Sequence, residues 1–115
     1  MRLEYAKLDN SVHLLKLSGR LDIVGTGEIE TKFSGYCAIE KDRVVVDLSD
    51  VDFLAPIGIR LLVINAKSLA GRGGRMVLLH PRPDVGKVLE IAGIPAIIPI
   101  YDSLESALAV LLTPR

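Results

Sequence analysis

The chain has 115 residues, 50% hydrophobic and 24% charged, a globular balance that suits one self-sufficient domain spanning residues 1–115. Its 14 Lys+Arg and 14 Asp+Glu cancel to zero net charge, which argues against a general nucleic-acid binder and weakens any reading based on anionic membrane surfaces. Three Tyr, two Phe and no Trp are too few rings for a base-stacking platform, and a single Cys excludes an intramolecular disulfide or a multi-cysteine metal cluster.

Leu3 to Leu8 reads as an edge strand. Asp9, Asn10 and Ser11 form a turn cluster, and Val12 to Leu17 reads as a second strand ended by Gly19, so the first two strands should make a hairpin. Residues 24–40 carry a polar helix, with Ile29, Phe33 and Cys37 four apart on one face. Val44, Val45 and Val46 form a β-branched run, expected as a central strand covered on both faces. Pro56 suits the first position of a helix to about Ala70, because its missing N–H has no intrahelical partner there. Leu61, Leu62, Ala66 and Leu69 give that helix its inner stripe.

Met76 to Leu79 is the next strand. A helix from about Asp84 to Ala92 follows, with Val85, Val88, Leu89 and Ala92 inward and Gly93 as its stop. Ala96 to Ile100 reads as a last short strand, and Asp102 with Glu105 as a capping-box-like pair opening a final helix through Leu112. The order β-β-α-β-α-β-α-β-α predicts an α/β fold, a mixed and largely parallel sheet of four to five strands packed with about four helices.

Binding surfaces of such sheets lie beyond the carboxyl ends of the parallel strands. Two stretches belong there, Ser18 to Asp22 and Asp47 to Pro56, and they meet if their strands are parallel neighbours. Arg20, Asp22, Asp52 and Arg60 are the polar groups expected around that edge, and Leu54, Pro56 and Ile57 its apolar ones, unless Leu54 and Ile57 are core.

The same stretches carry a resemblance. Gly19-Arg20-Leu21-Asp22 before a helix, then Asp47-Leu48-Ser49-Asp50-Val51-Asp52-Phe53-Leu54, then Gly58-Ile59, resembles the STAS domain of bacterial anti-sigma factor antagonists. Val88-Leu89-Glu90-Ile91-Ala92-Gly93-Ile94 extends the likeness over nearly the whole chain. The resemblance implies a regulatory protein-binding module rather than an enzyme, with no cofactor. Its implied partner is an anti-sigma factor of the serine-kinase type, and its switch is phosphorylation of a Ser or Thr at the start of the central helix.

Here the matching positions are Ala55, Pro56 and Ile57, and none carries a hydroxyl. Pro56 falls on the phosphoacceptor position, so no phosphoryl charge can be added there. The implied surface comprises Arg20, Asp22, Ser49, Asp52, Leu54, Pro56, Ile57 and Arg60. The alternative is a constitutive STAS scaffold subunit of a stress-signalling assembly or lipid transporter, for which a homodimer is one expected state. Asp47, Asp50 and Asp52 raise a remoter alternative, Mg-dependent phosphoryl transfer, against which stands the lack of a phosphate-cradling motif.

Ser49 is read as a turn residue rather than a substitute phosphosite, and Thr26 as a cap or solvent group. His13 and His80 lack nearby acidic or cysteine partners in sequence, which makes them poor evidence for a metal or a catalytic dyad. The single Cys suits a reducing compartment. No apolar run of signal-peptide or membrane-spanning kind is present, so a cytoplasmic protein without membrane insertion is expected.

Overall fold

The computed structural model describes residues 1–8, 11–38 and 42–113. Asp9 and Asn10 of the expected turn, and the last two residues of the expected first helix, lie outside the described residues. The elements are β1 (Arg2–Lys7), β2 (Val12–Leu21), α1 (Ile23–Cys37), β3 (Arg43–Leu54), α2 (Pro56–Gly71), β4 (Arg75–Leu79), α3 (Pro83–Ile91), β5 (Ile100–Tyr101) and α4 (Leu104–Leu111). They form one sheet in the order β1-β2-β3-β4-β5. β1 pairs antiparallel with β2 as a hairpin, and every other neighbouring pair is parallel.

Alternation along the strands divides the sheet between two cores. Leu15, Leu17, Val44, Val46, Leu48, Met76 and Leu78 are buried in the larger one, with Ile29, Phe33 and Cys37 of α1, Leu61, Leu62, Ala66 and Leu69 of α2, and Val85 and Leu89 of α3. Val12, Val45, Val77 and Leu79 project into the smaller one, closed by Ala107 and Leu111 of α4. Val44, Val45 and Val46 are therefore all buried, which explains a continuous apolar run where a half-solvated strand would alternate.

Several boundaries differ from the sequence expectation. β2 does not end at Gly19: that residue adopts φ +111°, and the strand continues to Leu21 with register shifts between Lys16 and Ser18 and between Gly19 and Arg20. The glycine permits an irregularity that a side chain would oppose, so pairing resumes past it. β3 likewise runs on through the polar 47–54 stretch, with Ser18 opposite Asp50 and Leu21 opposite Leu54.

On α3 only Val85 and Leu89 are buried, while Val88 and Ala92 face outward, because a nine-residue helix presents one narrow stripe. The expected strand at 96–100 is instead a 3-10 turn at Ile94–Ala96 followed by the two-residue β5. Proline cannot donate, and Pro99 contributes only its carbonyl, which accepts from Leu78 N–H at 2.9 Å. The cap of α4 is Ser103, whose Oγ accepts from Ser106 N–H at 3.1 Å, not the Asp102–Glu105 pair.

Candidate functional site

At the carboxyl edge of the sheet, β2 and β3 end side by side and each passes directly into a helix. Asp22 caps α1: its Oδ1 accepts from Gly25 N–H at 2.8 Å, satisfying one of the helix's otherwise free donors. α2 opens differently. Ala55 is its N-cap and has no side-chain acceptor, and Pro56 occupies the first turn. The two helix starts are tied together through β2, since Ala55 N–H donates to Leu21 carbonyl at 3.0 Å.

Two glycines allow this close approach. A Cβ at Gly25 would lie 1.9 Å from Arg20 carbonyl oxygen, and one at Gly58 would lie 2.4 Å from Leu21 Cδ2. Any larger residue would push one of the helix starts off the end of β2. These close contacts with the end of β2 place Asp22, Ile23, Val24, Ala55, Pro56 and Ile57 on one edge.

The edge is apolar with a charged margin. Ile23 and Val24 are 74% and 71% exposed, Phe53 40% and Ile57 39%. Pro56 is exposed as well, and Ala55 half-buried. Arg20 lies over the Phe53 ring, its Cζ 4.2 Å from the centroid, and its Nε is 3.4 Å from Asp22 Oδ2. The Gly25 N–H bond, with Arg20 adding to it, holds the Asp22 carboxyl below its ordinary value. Further along, Lys16 Nζ sits 3.2 Å from Asp50 Oδ2, and that contact raises the lysine's pKa.

The predicted residues separate into two groups. Arg20, Asp22, Asp52, Pro56, Ile57 and Arg60 stand on or beside the edge and reach solvent. Leu54 does not: it is 5% exposed and packs in the larger core, because its place as the last residue of β3, opposite Leu21, points it inward. Ser49 lies within a strand, not in a turn. Its N–H donates to Asp47 Oδ1 at 2.9 Å and its carbonyl accepts from Arg82 Nε at 2.9 Å.

Asp47, Asp50 and Asp52 do not converge. Among the described residues no three His, Cys, Asp or Glu are placed to hold a metal ion. Thr26 also departs from expectation, being buried with no partner for its hydroxyl oxygen among the described residues.

Sequence reasoning missed Ile23 and Val24. Two β-branched residues immediately after the Asp22 cap occupy the first turn of α1, outside the Ile29–Phe33–Cys37 stripe, and that spacing was the available signal. It also missed the surroundings of His13. This buried ring accepts from or donates to Tyr5 Oη at 2.6 Å through Nδ1, and Nε2 bonds Asp42 Oδ2. Tyr5 stacks in turn on Tyr36 of α1, with centroids 4.3 Å apart. The histidine has an acidic partner after all, but at the amino ends of β2 and β3, away from the carboxyl edge, where the network ties β1, β2 and α1 together.

Comparison with known proteins decides the family. The STAS domain family model matches residues 6–107. The chain belongs to the STAS domain family. BtrV of Bordetella bronchiseptica, which carries the name of an anti-sigma factor antagonist, is 30% identical over 113 residues, covering 98% of this chain and 97% of BtrV. The anti-sigma F factor antagonist of Paenibacillus polymyxa is 27% identical over 100 residues, 84% of each chain. In fold, this STAS domain superposes on an anti-sigma factor antagonist from Mycobacterium paratuberculosis with a TM-score of 0.85, at 23% identity and covering 97% and 94% of the two chains. This STAS domain is anti-sigma factor antagonist-like, and none of its described helices is long and apolar enough to cross a membrane.

Proposed function

We propose that this STAS domain is a non-catalytic regulator that docks on an anti-sigma factor of the serine-kinase type, and that its docking is not switched by phosphorylation at the head of α2. The surface is the edge built from residues 19–26 and 49–60. Ile23, Val24, Phe53 and Ile57 provide the apolar centre, and Arg20, Asp22, Asp52 and Arg60 the charged margin. Such an arrangement, apolar within and polar around, is the usual anatomy of a protein interface. Leu54 has no part in it, since it is core.

One observation carries the reading: Pro56 is exposed at the first residue of α2, in a stretch from Ala55 to Ile57 that has no hydroxyl. A kinase that reached this edge would find a surface and no acceptor. Binding then works through shape and apolar contact, and the complex persists once formed. The names of the Bordetella and Paenibacillus relatives support the choice of partner class.

The test is a calorimetric titration with the serine-kinase-type anti-sigma factor encoded in the same genome. The natural chain should bind. Ile57→Asp and Ile23→Asp should each weaken binding at least about tenfold, as expected for charges placed at an interface centre. Lys67→Glu, on an exposed part of α2 beyond the edge, should leave it unchanged. No binding by the natural chain with either ADP or ATP present would end this reading.

A further inference from the structure

From Ile57 a groove of about 260 Å3 leads away between α1 and α2, lined by Glu30, Ser34, Ile57, Arg60, Ile64 and Asn65 among others. Ile57 and Ile64 are seven residues apart, two helical turns, and so lie about 10 Å apart along one face of α2. Ile64 is half exposed.

The floor of the groove is polar at one point. Asn65 is only 6% exposed. Its Nδ2 donates to Leu61 carbonyl at 2.9 Å and to Ser34 Oγ at 3.3 Å. A main-chain carbonyl can only accept, so the atom facing Leu61 must be the nitrogen and the amide orientation is fixed. Oδ1 is therefore the atom left over. Among the described residues no donor reaches it, and it is not sealed off from solvent. Open to the groove, Oδ1 is left to water until a partner's donor replaces it. Glu30 and Arg60 stand on the two walls, and neither has an ion-pair partner among the described residues.

We propose that this groove receives an α-helix of the docked protein partner. That helix presents an aliphatic side chain to Ile57 and Ile64 and a side-chain N–H or O–H to Asn65 Oδ1. It carries a basic residue toward Glu30 and an acidic one toward Arg60. A helix laid in an apolar groove with anchors two turns apart is a recurrent mode of recognition. The inference rests on the docking reading above and extends it. It directs the partner from the head of α2 down the seam between the two helices, rather than across the sheet edge toward α3.

The experiment is the same titration, with the anti-sigma kinase as probe, on the natural chain and on Ile64→Glu, Asn65→Leu, Ile23→Asp and Ile91→Glu. Thermal melts accompany each variant. Ile64→Glu should weaken binding about tenfold or more. Asn65→Leu should weaken it several-fold, and Ile91→Glu, on the exposed end of α3, should change nothing. If Ile23→Asp loses binding while Ile64→Glu binds like the natural chain, the groove is not occupied and the inference falls, although the docking reading stands. If the natural chain does not bind, both fall. Because Ile64 is on the surface, its variant decides the matter even if Asn65→Leu fails to fold.

Discussion

Replacing Gly25 by alanine should destabilise the protein, although alanine is the better helix former. On propensity alone the change favours the fold by about 1 kcal/mol. The structure opposes it. The new Cβ would stand 1.9 Å from Arg20 carbonyl oxygen, where an ordinary contact begins at 3.4 Å. The oxygen is main chain and a Cβ is held rigidly on its own main chain, so about 1.5 Å must come from moving the start of α1 or the end of β2. Such a movement would also stretch the 2.8 Å bond from Gly25 N–H to Asp22 that caps the helix. Overpacking costs of ~1–3 kcal/mol, added to the lost cap, outweigh the propensity gain and leave a net loss of about 2 kcal/mol.

For a domain of this length that lowers the melting temperature by about 8 °C. Gly27→Ala is the internal control, because a Cβ there meets nothing within 4 Å. It should stabilise by about 0.5–1 kcal/mol, a rise of a few degrees. Far-UV circular dichroism melts and urea titrations on the two variants give the answer as a difference in sign. A Gly25→Ala protein as stable as the natural chain would refute the close approach of α1 to β2, and with it the construction of the edge.

Two further outcomes follow from ionisation. The folded-state pKa of Asp22 is lowered below its ordinary 3.8, so its contribution to stability is present above that value and is lost as the pH falls through the lowered one. Asp22→Asn keeps a capping side chain without the charge and should show a flatter acid limb when urea midpoints are followed from neutral pH downward. Burial pushes the Cys37 thiol up to about 12. In the native protein at pH 8 it should resist a thiol reagent such as dithionitrobenzoate and react at once in urea; rapid native reaction would mean that the α1–sheet interface opens readily.

The order of elements was legible because each strand and helix carries its own period, from the Val44–Val46 run to the 61–62–66–69 stripe of α2. What could not be read was decided by neighbours distant in sequence. Ser49 to Asp52 look like a loop, yet they lie within β3, where Asp50 and Val51 pair with Ser18 and Gly19 between two register shifts. His13 looks isolated, yet its acid lies 29 residues on, and its phenol comes from the other strand of the hairpin. Leu54 looks like a surface anchor beside Pro56, but strand alternation turns it inward and leaves Phe53 outside. The head of α2 was legible in full, since proline at a first helical turn is a local matter. The groove around Asn65 was not, because it exists only where two helices pack, with Ser34 31 residues from its partner.

The edge around Pro56 is proposed to bind by fixed shape, with nothing at the head of α2 to phosphorylate. This is tested most directly by titrating the natural chain with the serine-kinase-type anti-sigma factor, once with Mg·ADP and once with Mg·ATP, and then weighing the chain by intact mass. The expected result is the same affinity in both nucleotides, no added phosphate, and phosphate uptake only in Pro56→Ser. An affinity that collapses in ATP together with one phosphoryl group on the natural chain would contradict it.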